Sequence, residues 1–154
     1  MVLAQSLLSL AETLRKTEFA RSSFAKDLIV SVSFKKEGFA GKFNLGDEFY
    51  TCPPELTKDQ NQVLGNWNAR VMSSYKGPYK LTDMKPFKYP DGEPGSILSS
   101  CLYRDNDGVT YLAAITSARE QTVLIISFIG KTPGFDDKAL RRVIAKAIYQ
   151  KVIS

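Results

Sequence analysis

Apolar and polar positions along the chain alternate between two periods. Residues 2–20 carry Leu3, Leu7, Leu10 and Leu14 at spacings of four, three and four, with Ala4, Leu8 and Ala11 widening the stripe. That spacing predicts an amphipathic helix. Arg15, Lys16 and Arg21 gather toward its end, where cations suit the helix dipole. The stripe suits a helix packed on the chain's own sheet better than a membrane-surface helix, because its polar face has little positive charge before Arg15.

From residue 28 the period changes to two. Leu28, Val30, Val32 and Phe34 alternate with Ile29, Ser31 and Ser33, which predicts a strand over 28–34 with the first set facing the core. A turn at 35–38 follows, then a weaker strand from Phe39, a turn at 44–47, and a short strand over 48–52 that Pro53 and Pro54 terminate. Thr57 and Gln60 have the capping-box spacing, so a short helix is expected over 57–64 and Gly65 is read as its stop. Trp67, Ala69 and Val71 then alternate with Asn68, Arg70 and Met72, which reads as a strand running to Tyr75. Pro and Gly are dense over 76–96, giving a short strand at 79–84 and a long loop at 85–95.

The last third is the clearest. Ile97–Arg104 and Val109–Ser117 are strands joined by the turn Asp105-Asn106-Asp107-Gly108. Thr122–Ile129 is so apolar that both of its faces should be covered. Asp136 or Asp137 starts a final helix that runs to about Val152. Its apolar side is Leu140, Val143, Ile144, Ala147, Ile148 and Val152. Strands followed by a terminal helix imply a single α+β domain, with a mainly antiparallel sheet of about five to seven strands flanked by an N-terminal and a C-terminal helix. The expected core is Leu7, Leu10 and Leu14; Val30, Val32 and Phe34; Leu112 and Ala114; Leu124, Ile126 and Phe128; and Leu140, Ile144 and Ile148.

Composition narrows the chemistry. The chain has 154 residues, enough for one domain with its own core. It contains no histidine, which removes Ser-His-Asp and Cys-His catalysis and zinc sites with imidazole ligands. Phosphate-loop patterns are missing, and Asp105–Gly108 fails the calcium-loop spacing at its fifth and twelfth positions. Cys52 and Cys101 allow one disulfide or two buried thiols, the second being preferred. A Cys52 nucleophile would lack an obvious base. No cofactor, metal or catalytic residue is expected. No run of about 20 apolar residues is present to span a membrane. If Met1 is the native start, the expectation is a cytoplasmic protein.

The net charge is +5, a mild excess that permits an anionic partner. Two segments concentrate it. The first holds Trp67, Arg70, Tyr75, Lys76, Tyr79, Lys80, Lys85 and Lys88, a mixture of cations and rings suited to single-stranded nucleic acid. The second is the last helix, where Lys138, Arg141, Arg142 and Lys146 form a stripe roughly opposite the apolar side. The function expected from these features is a non-catalytic binding or assembly protein acting through a protein partner. The alternative is polyanion or single-stranded nucleic-acid binding through the same two surfaces.

The closing order, Tyr111-Leu112-Ala113-Ala114-Ile115-Thr116-Ser117, then residues 122–129, then a helix, loosely resembles the end of PsbP-like α/β domains, the family of the extrinsic photosystem proteins. Members of that family are mostly non-catalytic binding or assembly factors. The resemblance rests on element order and carries no site residues.

Overall fold

The period-two segments at 28–34, 48–52, 97–104, 109–117 and 122–129 contribute strands to one sheet. A computed structural model describes residues 4–36, 48–75, 83–118, 121–131 and 134–153. Its strands are β1 (Ile29–Lys36), β2 (Tyr50–Cys52), β3 (Asp83–Lys88), β4 (Pro94–Asp105), β5 (Gly108–Ser117) and β6 (Gln121–Ile129). They pair antiparallel throughout in the order β2-β1-β6-β5-β4-β3. The helices are α1 (Ala4–Lys16), α2 (Glu18–Ser23), α3 (Lys58–Ser74) and α4 (Asp137–Ile148), the last continued by a π turn, Tyr149–Ile153. The architecture is a single α+β domain.

Alternation along the strands sorts side chains into two layers. On one face Val30, Val32, Tyr111, Leu124, Ile126 and Phe128 are buried against Leu7, Leu10 and Leu14 of α1 and Leu140, Ile144 and Ile148 of α4. On the other face Leu112, Ala114, Ile125 and Ile129 are buried against Leu64, Trp67 and Val71 of α3. Leu112 and Ala114 are thus in the core as expected, but in the second layer. Phe34 is only half-buried. Residues 122–129 of β6 are buried without exception, because helices lie over both faces of the sheet.

Several local expectations need correction. The helix expected over 2–20 breaks at Thr17, whose hydroxyl donates to the Leu14 carbonyl at 2.8 Å and accepts the Ala20 amide at 3.3 Å, so that it caps α2. The capping box at Thr57 and Gln60 is present, yet Gly65 does not end the helix and residues 67–75 form no strand. The helix continues because Leu64, Trp67 and Val71 lie three and four apart on one buried stripe, and burying that stripe outweighs the roughly 1 kcal/mol that a mid-helix glycine costs. The long loop expected at 85–95 is instead a hairpin. β3 reaches Lys88, which pairs with Pro94, and Pro86 is accommodated because β3 is an edge strand. The connection closes with the Gly92 amide on the Tyr89 carbonyl and the Tyr89 amide on the Glu93 carbonyl, both at 2.8 Å. Gly92 sits at φ 89°, a conformation open to glycine. The strand expected from Phe39 and the turn at 44–47 lie outside the described residues.

Candidate functional site

The twelve residues singled out in the sequence do not form one surface. Trp67 is fully buried beneath α3, with its ring nitrogen donating to the Thr110 hydroxyl at 2.8 Å. Arg70 lies beside it, its guanidinium 5.2 Å from the Trp67 ring and within 3.4 Å of Asp105 and 3.3 Å of Asp107. It tethers α3 to the β4–β5 turn. Tyr75 caps the end of α3 and packs against the second core layer. Lys76, Tyr79 and Lys80 lie outside the described residues. Arg141 turns inward, pairing with Asp137 at 2.8 Å and donating to the Ser99 carbonyl at 3.2 Å, so it leaves the solvent stripe. Lys138 is exposed in the first turn of α4.

The remaining four come together. Lys85 of β3 faces Arg142 and Lys146 of α4 across a groove of about 500 Å³, and Lys88, on the other face of this edge strand, stands at its rim. Its floor is Phe87 and Ile97, and Tyr149 stands at its end. Local sequence explains the geometry. Gly95 lies opposite Phe87 in the β3–β4 register, and a β-carbon there would meet the Phe87 ring at 2.6 Å. The missing side chain lets Phe87 lie across β4 toward the helix. Its ring then meets Tyr89 at 4.9 Å and Tyr149 at 6.0 Å between centroids, both edge-on. On α4, Arg142, Lys146 and Tyr149 follow at spacings of four and three and so share a face. Among the described residues no acid forms an ion pair with Lys85, Lys88, Arg142 or Lys146. In the turn between β3 and β4, Asp91 accepts the Glu93 amide at 3.0 Å.

Tyr149 had not been singled out in the sequence. Its signal was its position on the same helix face as Arg142 and Lys146.

A second cleft, of about 660 Å³, opens at the opposite end of the sheet, where β6 ends. Asp27, Asp59 and Asp107 share its walls with Arg70 and Lys131. Its charges are of both signs, and Asp107 already holds Arg70. Among the described residues no group of three or more His, Cys, Asp or Glu side chains is arranged to hold a metal ion, and no helix is long and apolar enough to cross a membrane.

The cysteines are both free, and neither is poised as a nucleophile. Burial pushes the Cys101 thiol up to about 11, with the Asp137 carboxylate adding to the rise. Burial also raises Cys52. Tyr111, which donates its hydroxyl to Asp137, is raised by burial and by that bond. A raised thiol pKa means that the folded state holds the proton more tightly than the unfolded chain. The stabilisation is complete below pH 9 and is lost as pH climbs from there to about 11. Stability measured by denaturant titration should therefore fall over that interval. Cys101→Val should flatten the fall, and an unchanged pH profile in the variant would contradict this assignment.

No family model matches the chain, and neither a curated protein nor a solved structure does, so the PsbP-like resemblance of the closing elements is not carried further.

Proposed function

We propose that this protein is a non-catalytic binding protein whose partner presents negative charge to the groove between β3 and α4. The observation that carries this reading is the convergence of Lys85, with Lys88 at the rim, on Arg142 and Lys146. They come from elements far apart in the sequence, meet over an aromatic floor, and are neutralised by no described acid. Like charges gathered on one groove repel one another, and an anionic chain laid between them relieves that repulsion. A protein partner enters this reading through an acidic segment, and a nucleic acid through its phosphates.

Salt and charge reversal test it. Four cations on phosphates predict that affinity for a single strand falls roughly 50-fold between 50 and 200 mM salt. Arg142→Glu combined with Lys85→Glu should abolish binding to labelled heparin, polyglutamate and single-stranded oligonucleotides alike, read by fluorescence anisotropy. Lys26→Glu, at the other end of the sheet, should leave it intact. Polyanion binding that survives the double reversal would place the contact elsewhere and sink the proposal.

A further inference from the structure

We propose that the occupant of this groove is a single-stranded nucleic acid, with one base stacked on Tyr149 and the phosphates on either side held by the β3 and α4 cations. The inference rests on the anionic-partner reading and adds the class of partner. An acidic protein segment would satisfy the cations but has no general use for the rings. The groove couples the two. Tyr149 is 44% exposed, although it is a large ring next to a core residue. Its orientation is fixed by the edge-on contact with Phe87, which in turn is held against Tyr89 and over Gly95. A ring that is both exposed and held in place loses little freedom when a base stacks on it.

The dimensions agree. Arg142 to Tyr149 spans about 10 Å along the helix, and Lys85 lies across from it on the α4 side of β3, with Lys88 about 10 Å along the strand at the rim. The helix thus offers one short charged rail with the ring at its end, and the strand sets Lys85 opposite it. Every base has a π-face, so the arrangement predicts tolerance of sequence rather than readout of it. Lys85, Pro86 and Lys88 also guard the sheet edge against an added strand, which disfavours a peptide that would pair with β3.

The test compares four probes at 50 mM salt: a single-stranded RNA, a single-stranded DNA, an abasic strand of the same length, and polyglutamate. Tyr149→Ala should weaken both base-bearing strands about tenfold and leave the abasic strand unchanged. Tyr149→Trp should bind at least as well as the parent. Far-UV circular dichroism checks that both variants keep the fold. Equal affinity of the parent for the abasic and base-bearing strands would overturn the stacking role. Tighter binding of polyglutamate than of either strand would assign the groove to an acidic protein instead. Failure of the anionic-partner reading looks different: the charge reversals at Lys85 and Arg142 would then leave every probe unaffected.

Discussion

Trp67→Ala should cost about 3–5 kcal/mol of stability, the largest effect expected of any single truncation in this chain. Trp67 is one of the largest fully buried side chains. Its ring fills the space between α3 and the second face of the sheet, where Leu64 and Val71 flank it and Tyr103 packs at 5.4 Å. It also ends a buried polar ladder. The indole nitrogen donates to Thr110, and the Thr110 and Ser127 hydroxyls share a 2.8 Å hydrogen bond. Alanine leaves a cavity and withdraws the donor together. Trp67→Phe keeps most of the ring volume, and Thr110 and Ser127 still satisfy each other, so its cost should be smaller, about 1–3 kcal/mol. Because Trp67 is the only tryptophan, unfolding by urea has to be followed by circular dichroism. A loss below about 1 kcal/mol in the alanine variant would mean that α3 is not anchored there.

Gly108→Ala should be the most damaging addition of a single methyl group. A β-carbon at Gly108 would lie 2.4 Å from the Phe128 carbonyl oxygen, 3.2 Å from the Ile129 α-carbon and 3.3 Å from the edge of the Trp67 ring. Two of these neighbours are backbone, so no rotamer change relieves the contact. β5 and β6 must separate where Gly108 pairs with Ile129, or the hairpin must shift. Overpacking of this kind costs about 1–3 kcal/mol or more, and the hydrogen bond from the Gly130 amide to the Asp107 carbonyl, at 2.7 Å, lies next to the strain. Gly65→Ala is the matched control. A β-carbon there meets nothing within 4 Å, and the site is an exposed mid-helix position. Alanine should stabilise the protein by up to about 1 kcal/mol. Equal thermal shifts for the two substitutions would contradict this account of Gly108.

These two positions also mark where the sequence could be read and where it could not. The β4–β5–β6 meander and α4 were legible because their signals are local: alternation, one turn of Asp and Gly, and a capping aspartate. Asp136 does accept the Lys138 amide at 3.0 Å. α3 was misread because Trp67, Ala69 and Val71 satisfy a period of two as readily as Leu64, Trp67 and Val71 satisfy the helical one. Only the sheet surface beneath decides between them. The density of proline hid the β3–β4 hairpin, since a chain read alone does not reveal that Pro86 falls on an edge. For the candidate site, the basic stripe of α4 was visible in the spacing of Arg142 and Lys146. Its meeting with Lys85 and Lys88 was not, because that depends on β3 being the outermost strand beside α4. The rings of the first segment were also split: Trp67 went to the core and Phe87 to the groove floor, a division that burial makes and composition does not.

The strand order sets a schedule for the chain as it is made. β3 to β6 close by neighbouring hairpins, but β1 pairs with β6, so Ile29 meets Ile129. At the pace of translation, about 5–20 residues per second, β1 emerges roughly 5–20 s before β6, its longer partner, exists. Throughout that wait β1 has only the three-residue β2 to pair with, and its β6 side stays an open apolar edge of the kind that other chains can pair with. Ser31 and Ser33 interrupt its apolar run and Lys35 and Lys36 close it, polar residues of the kind that discourage pairing at an open edge. The serines that look misplaced in a finished core are suited to the nascent one.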